Sequence, residues 1–279
     1  MIVIIAEKAG ACYGVERALD LVAEANEGES AVHTLGPLIH NPGAVADLEA
    51  AGVSVADSVA DIGSGTVVIR SHGVPPQVIE EAHAAGLDVV DATCPFVTKV
   101  HRAAKKLTDE GYRVLIVGEE GHPEVEGIFA HADGKAIVIG SIEDLLAVDP
   151  KILRRRLGIV VQTTQSQGLL KAVIDHVLPL SSEIRIFNTI CSATAERQQA
   201  AADLASRAEV MIVIGGKNSG NTRRLYEICK ERCEATYHIE DVSELDPAWF
   251  EGVEVVGVTA GASTPSSQIT AVVDALAEY

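Results

Sequence analysis

The feature that most constrains this fold is a repeat in which an apolar run leads to a cysteine and then to a helical pattern. The three copies read MIVIIAEKAGACYGVERALDLV, LDVVDATCPFVTKVHRAAKKL and IRIFNTICSATAERQQAAADL. Their cysteines, Cys12, Cys94 and Cys191, lie 82 and 97 residues apart, and 88 residues follow the last. Internal repetition indicates similar structural units built on one plan. We predict three units: 14–93, 94–190, and 191–279 together with 1–13.

Short apolar runs alternate with helical patterns throughout the chain, which is typical of βαβ units with parallel strands. We therefore predict an α/β fold of three similar units with mainly parallel sheets. In such sheets ligands bind beyond the carboxyl ends of the strands. Arranged as a pseudo-threefold trefoil, the three units would bring the three thiols together at the centre.

Polar loops recur at regular distances after the three cysteines. The second strand of each unit leads to a glycine-containing loop, in VHTLGPLIHNPGAV, VLIVGEEGHPEVEG and MIVIGGKNSGNTRRL. A polar residue lies 28 positions after the cysteine in each: His40, His122 and Ser219. Further loops, VVIRSHGVPP, GIVVQTTQS and VVGVTAGASTP, carry His72, Thr163 and Ser263 at less regular offsets. Each unit is thus expected to present one thiol and two polar loops.

Composition excludes several classes of partner. The chain of 279 residues has 22 Lys and Arg against 40 Asp and Glu, a net charge of −18. Such a surface repels nucleic acid and anionic membranes, so neither is expected as a partner. No apolar run approaches the ~18 residues of a membrane span, and MIVIIAEKAG lacks the pattern of a signal peptide. Together with an odd count of five cysteines, this predicts a cytoplasmic protein without a disulfide framework.

Three thiols at equivalent positions before helices indicate a soft metal site, because helix N-termini favour thiolate. An iron–sulfur cluster with three protein ligands would leave one iron open, whereas zinc with a fourth histidine would form a closed structural site. The spacing of the three cysteines favours the iron–sulfur cluster but does not exclude zinc. Two other functions are compatible with three converging cysteines. One is a non-enzymatic iron–sulfur or zinc protein, in which the metal links the three units or senses the redox state. The other is a hydro-lyase without redox chemistry. Cys229 and Cys233, four residues apart on a predicted helix, are expected in the core.

The polar loops suit a phosphate or diphosphate ligand, since imidazole, hydroxyl and amide groups donate hydrogen bonds to its oxygens. No P-loop and no dinucleotide fingerprint occurs in the chain. Glu124, two residues after His122, is a candidate proton donor. Spacing alone does not separate it from Glu126.

Nine motifs together resemble one family. In chain order they are AGACYGVERA, LGPLIHNP, RSHGVPP, DATCPFVTKVH, GHPEVEG, QTTQS, NTICSATAERQ, GGKNSGNTRRL and TAGASTP. They resemble the LytB/IspH family, the 4-hydroxy-3-methylbut-2-enyl diphosphate reductases of the methylerythritol phosphate route of isoprenoid biosynthesis. The resemblance extends from Ile5 to about Ser266.

The resemblance implies an iron–sulfur oxidoreductase. Its 4Fe-4S cluster would be bound by Cys12, Cys94 and Cys191 at the centre of the trefoil. The fourth iron, left open, would act as a Lewis acid toward the substrate hydroxyl. Two electrons and two protons would then remove that oxygen as water, giving isopentenyl diphosphate and dimethylallyl diphosphate. Reduced ferredoxin or flavodoxin is the expected electron donor.

The resemblance also implies residue roles. Thr163 would lie near the substrate hydroxyl and Glu124, rather than Glu126, would donate the proton. The diphosphate would be bound by His40, His72, His122, Ser219, Asn221 and Ser263. One departure bears on this set: Gly220 stands where the family often has a second serine.

Overall fold

The computed structural model describes all 279 residues. The strands are β1 (Ile2–Ile5), β2 (Val32–Leu35), β3 (Ser54–Ala56), β4 (Thr66–Ile69), β5 (Asp88–Asp91), β6 (Arg113–Val117), β7 (Ile137–Ile139), β8 (Arg156–Val161), β9 (Glu183–Ile186), β10 (Val210–Ile214), β11 (Thr236–Ile239) and β12 (Val255–Ala260). They form three four-stranded sheets, and every pair is parallel. The predicted α/β class with parallel sheets is confirmed.

Helices alternate with the strands. They are α1 (Tyr13–Asn26), α2 (Pro42–Ala50), α3 (Pro76–Ala84), α4 (Pro95–Asp109), α5 (Pro123–His131), α6 (Ile142–Ala147), α7 (Pro150–Leu153), α8 (Gln167–Val177), α9 (Ser192–Ala205), α10 (Gly220–Lys230) and α11 (Ser266–Leu276). Short 3-10 helices lie at Val59–Asp61, Val242–Glu244 and Pro247–Phe250. No helix has both the length and the apolar character needed to cross a bilayer.

The chain divides into two compact units. The larger unit comprises Arg17–Leu38 and Leu48–Cys191. It contains two sheets, with strand orders β3-β2-β4-β5 and β7-β6-β8-β9. Their central strands are almost continuously apolar, as in VVI of β4 and VLIV of β6, and these residues are buried. Such runs are expected where helices cover both faces of a parallel sheet.

The smaller unit comprises Met1–Glu16, Ile39–Asp47 and Ser192–Tyr279. Its sheet has the order β1-β12-β10-β11, so the first strand of the chain pairs with the last. The core between this sheet and α11 includes Ile212, Val258 and Val272, all fully buried. The boundaries of the three predicted repeat units stay a prediction.

All three sheets share one strand order. In each, the strand that leads to a cysteine is an edge strand: β1 before Cys12, β5 before Cys94 and β9 before Cys191. Its hydrogen-bonded neighbour, β12, β4 or β8, ends in one of the polar loops predicted from the sequence. The topology therefore places each cysteine beside a polar loop at the carboxyl edge of its own sheet, where α/β folds bind ligands.

Candidate active site

Each cysteine is fixed by the same backbone contact. Its N–H donates to a carbonyl in the loop after the neighbouring strand, at 2.9–3.0 Å. The pairs are Cys12 with Ala262, Cys94 with Ser71, and Cys191 with Thr163. None of the three is in a disulfide, and each thiol is partly exposed at the residue before a helix. A partly exposed thiol at a helix start is suited to act as a thiolate ligand.

The shared contact reveals a one-residue shift in the sequence alignment of the repeats. His72 and Ser263 each follow the residue that accepts the cysteine N–H bond, whereas Thr163 is itself that residue. The structural counterpart of His72 and Ser263 is therefore Thr164, whose hydroxyl accepts a hydrogen bond from Gln162. Sequence reasoning missed Thr164. Counting from the strand ends would have found it, since each counterpart lies three residues past its strand.

Glu124 is a buried carboxyl group of the larger unit. Its side chain is 2% exposed, in the first turn of α5. Thr163 donates to its carboxylate twice, from the backbone N–H at 2.7 Å and from the hydroxyl at 2.8 Å. Burial raises the pKa of Glu124 to about 7, although the two bonds from Thr163 act in the opposite direction. A carboxyl group with this pKa can carry a proton near neutral pH.

Burial also separates the two candidate carboxylates that spacing could not separate. Glu126 is exposed, two residues further along α5. Of the two carboxylates, Glu124 is the one that accepts the double contact from Thr163, and burial raises the pKa of its carboxyl. The geometry therefore favours Glu124 as the proton donor.

One histidine, His122, contacts Glu124 in the larger unit, and a second, His72, contacts His122. The Nδ1 atom of His122 accepts the Glu124 backbone N–H at 3.1 Å and caps α5. The rings of His72 and His122 meet edge to face, with centroids 5.7 Å apart. Through these contacts and the two cysteine N–H bonds, the larger unit joins its predicted site residues in one continuous arc: Cys94, His72, His122, Glu124, Thr163 and Cys191.

The smaller unit carries the remaining polar residues. Ser219 caps α10, where its hydroxyl accepts the Thr222 N–H. The Ser263 hydroxyl donates to the His40 carbonyl at 3.1 Å. A Cβ on Gly216 would lie 2.7 Å from that same oxygen, so only glycine allows the two loops to approach so closely. The unit thus brings together His40, Ser219, Asn221 and Ser263 near the loop that holds Cys12.

Asn221 is a buried polar residue in the first turn of α10. The side chain is 4% exposed, yet neither its Nδ2 nor its Oδ1 atom has a hydrogen-bond partner. A buried amide without partners costs stability, so such groups are rare outside functional sites. The N-terminal turn of α10 next to it favours negative charge. The orphaned amide therefore fits an anionic group.

The predicted metal site draws on both units. Within neither unit do three His, Cys, Asp or Glu side chains group together as ligands for a metal ion. Cys12 belongs to the smaller unit and Cys94 and Cys191 to the larger, so the triad stays a prediction. The three donors nevertheless fit an iron–sulfur cluster, since all are partly exposed thiols outside any disulfide.

Cys229 and Cys233 belong to the core, as predicted. Both are buried, and they pack with Leu225, Met211 and Val213. Burial raises the pKa of Cys229 to about 12, so this thiol stays protonated and cannot readily act as a ligand.

Comparison with known proteins decides the family. The family description "LytB protein" matches residues 3–277. This chain belongs to the LytB family. One relative, the 4-hydroxy-3-methylbut-2-enyl diphosphate reductase of Geobacter sulfurreducens, is 50% identical over 279 residues, covering 100% of this chain and 98% of the relative. The reductase of the same description from Aquifex aeolicus is 48% identical. The matched region covers 94% of this chain and 91% of the Aquifex protein.

Solved structures of LytB relatives agree with the fold. A structure of (E)-4-hydroxy-3-methyl-but-2-enyl diphosphate reductase, described as the terminal enzyme of the non-mevalonate pathway, is 47% identical, with a TM-score of 0.73 and full coverage of both chains. The E-1-hydroxy-2-methyl-but-2-enyl-4-diphosphate reductase from Plasmodium falciparum is 26% identical, with a TM-score of 0.92, covering 98% of this chain and 87% of the other. Membership in the LytB family is thus supported by sequence and fold over the whole chain.

Proposed function

We propose that this LytB-family chain is a 4-hydroxy-3-methylbut-2-enyl diphosphate reductase of the methylerythritol phosphate route. It removes the hydroxyl group of its substrate as water, with two electrons and two protons, and yields isopentenyl and dimethylallyl diphosphates. The observation that carries the proposal is the buried Glu124 carboxyl held by Thr163, in an arc that includes His72, His122 and two cysteines. The full-length similarity to reductases of that name supports the same conclusion.

Cys12, Cys94 and Cys191 are proposed to hold a 4Fe-4S cluster at the centre of a pseudo-threefold arrangement. When bound, the cluster supplies electrons and one iron with an open coordination place. The protein fixes each thiol through the backbone bond that its residue donates to the adjacent polar loop. This contact involves the backbone of each cysteine and not its thiol.

The diphosphate is proposed to bind to imidazole, hydroxyl and amide donors. Asn221 supplies a buried amide with no partner of its own, and the α10 N-terminus beside it favours negative charge. The full set comprises His40, His72, His122, Ser219, Asn221 and Ser263. Charge-assisted bonds to phosphate oxygens are about twice as strong as neutral ones, so such donors can bind a diphosphate tightly.

Glu124 and Thr163 are proposed to act on the substrate hydroxyl. The Thr163 side chain lies 2.8 Å from the Glu124 carboxylate and is positioned to relay or orient a proton. A carboxyl with a pKa of about 7 can hold that proton and release it to a leaving oxygen. The two residues therefore form the proposed proton-donating pair.

The electrons are proposed to come from a reduced ferredoxin or flavodoxin in the cytoplasm. The chain contains neither a P-loop nor a dinucleotide fingerprint, and its relatives are named as reductases. A one-electron carrier protein is then the natural source.

Anaerobic turnover tests the proposed function directly. Protein purified without oxygen is expected to be brown, to contain about four irons per chain, and to convert the hydroxylated allylic diphosphate with an artificial reductant. Both products are identified by chromatography against standards. A colourless protein that holds one zinc and leaves the substrate unchanged would support a structural staple. Hydration or dehydration without consumption of reductant would support a hydro-lyase.

Removal of the orphaned amide is expected to weaken substrate binding. Asn221→Ala should raise KM on the order of tenfold or more, because a hydrogen bond to a charged group contributes about 1.5–3 kcal/mol. Iron content should not change. Asn26→Ala is the matched control, since that amide donates to the Ala51 carbonyl in the larger unit. Equal KM values for both variants would remove Asn221 from the proposed site.

A further inference from the structure

His101 is a buried histidine to which none of the roles above applies. It lies on α4 in the larger unit and is 6% exposed. Its ring stacks on that of His131, the last residue of α5, with centroids 4.1 Å apart and planes 15° from parallel. Its Nε2 atom has no hydrogen-bond partner. The ring therefore contributes through its shape.

Two glycines face the ring of His101. A Cβ on Gly127 would lie 2.9 Å from the His101 Nε2 atom, and a Cβ on Gly73 would lie 2.7 Å from its Cε1 atom. Real Cβ atoms essentially never approach other atoms so closely, so any larger residue would have to displace the ring or its own backbone. The backbone at Gly73 and the backbone at Gly127 therefore both pack closely against the ring, and the Val74 carbonyl in the same loop lies 3.9 Å from the position of a Cβ on Gly127.

Both segments carry proposed site residues. Gly73 directly follows His72, and Gly127 lies on α5 three residues after Glu124. The Gly127 carbonyl also contacts the His131 Nδ1 atom at 2.8 Å, so the same short stretch of α5 holds the ring that stacks on His101. A change in the size of residue 101 would therefore shift both the His72 loop and the helix that bears Glu124.

We propose that His101 is a positioning residue: its ring is a spacer that fixes the distance between the His72 loop and α5, and so holds His72 and Glu124 in the arrangement that turnover requires. The inference rests on the proposed function for the roles of His72 and Glu124. The spacer itself rests only on contacts within the larger unit.

The charge state of the spacer is constant over the working pH range. Burial, reinforced by His131 and opposed by Asp91, lowers the pKa of His101 to about 3. The ring is then neutral near pH 7, and its size and contacts do not change with pH. A neutral ring without a partner for Nε2 is consistent with a steric role.

A double-mutant cycle tests the spacer. His101→Ala removes the ring, and Gly127→Ala adds a methyl group to the space that the ring occupies. Each single variant is expected to lower kcat per bound iron on the order of tenfold to 100-fold, because displacements of about 1 Å in a site can cost this much. In the double variant the added methyl group partly fills the vacated space, so kcat should exceed that of His101→Ala. The same Gly127→Ala change is thus harmful with the ring present and beneficial without it, a coupling that independent sites do not show.

Two further measurements separate positioning from simple destabilisation. Amide hydrogen exchange across α5 in the holoenzyme should quicken in His101→Ala and slow again in the double variant. Iron content should match wild type in all variants. His83→Ala, an exposed histidine on α3, is the control and should change neither kcat nor exchange.

Two outcomes would overturn the inference. If His101→Ala lowers the unfolding temperature and iron content but leaves kcat per iron unchanged, the ring contributes to stability alone. If Gly127→Ala is equally harmful in both backgrounds, the ring does not set the spacing. Should wild-type protein fail to reduce the diphosphate, the proposed function fails by itself, and the exchange measurements still decide whether His101 spaces α5.

Discussion

Replacement of Glu124 by glutamine is expected to lower turnover per bound iron on the order of 100-fold or more, because general acid catalysis contributes about 10²–10⁴-fold. Glutamine keeps the size of the side chain. The two bonds from Thr163 go to different carboxylate oxygens, so the glutamine carbonyl can accept the Thr163 N–H while its NH2 group donates to the Thr163 hydroxyl. It has no proton to release to the leaving oxygen. The fold and the iron content should therefore be retained while the chemistry is lost.

The pH dependence of the same reaction provides an independent test. The pKa of Glu124 is raised to about 7 by burial, so the proton-bearing form predominates below that pH and is lost as the pH rises through it. Turnover at saturating substrate should fall above about pH 7. Loss of turnover on the alkaline side therefore reports on a group that must be protonated.

Glu126→Gln is the matched control for both measurements, since that carboxylate is exposed on the same helix. Wild-type rates in Glu124→Gln, or an equal loss in Glu126→Gln, would falsify the assignment of the proton donor. The residual turnover of Glu124→Gln should also lack the decrease above about pH 7. If the decrease persists in Glu124→Gln, it must be caused by the titration of another group.

The repeat in the sequence predicted that each cysteine has polar loops in its own unit, because the repeat reflects sheet topology. A strand, a cysteine and a helix recur since each sheet places the strand before its cysteine at one edge. That edge strand pairs with the strand that ends in the loop carrying His72, Thr163 or Ser263. Local pattern therefore determined which loops lie beside which thiols, and the parallel α/β class followed from the same alternation.

The equal offset of 28 residues from each cysteine to His40, His122 and Ser219 nevertheless conceals small differences in local structure between the repeats. His122 and Ser219 cap α5 and α10 with their side chains, whereas in the first repeat Asn41 accepts the Ala44 N–H before α2, one residue after His40. A similar shift makes Thr164, and not Thr163, the counterpart of His72. Loop lengths vary by single residues between repeats, and only backbone hydrogen bonds show the true correspondence.

The contributions of burial and long-range packing could not be predicted from the sequence. Spacing could not separate Glu124 from Glu126, because the difference arises from Thr163, 39 residues away. The spacer role of His101 depends on two glycines, at positions 73 and 127, whose approach is a tertiary event. Isolated glycines and histidines carry no signal of such contacts in a single sequence.

Replacement of any one of the three repeat cysteines by serine is expected to abolish cluster binding. In Cys94→Ser the backbone bond to the Ser71 carbonyl is retained, so the loop and α4 should keep their positions. Only the soft thiolate is lost, and a hydroxyl group does not replace it as an iron ligand. Iron content should fall from about four per chain to below about one, with loss of the brown colour and of turnover. Cys12→Ser and Cys191→Ser should behave alike.

The two core cysteines supply the control that makes this loss specific. Cys229→Ser and Cys233→Ser alter buried thiols, so they are expected to lower the free energy of unfolding by about 1–3 kcal/mol and leave iron content unchanged. Iron and sulfide analysis with electron paramagnetic resonance of the reduced protein measures both effects. A Cys94→Ser protein that retains its full iron content would show that the cluster does not depend on this thiol. A loss of iron in Cys229→Ser in a protein that remains folded would instead place a ligand in the core, where the pKa of the thiol, raised to about 12, argues against it.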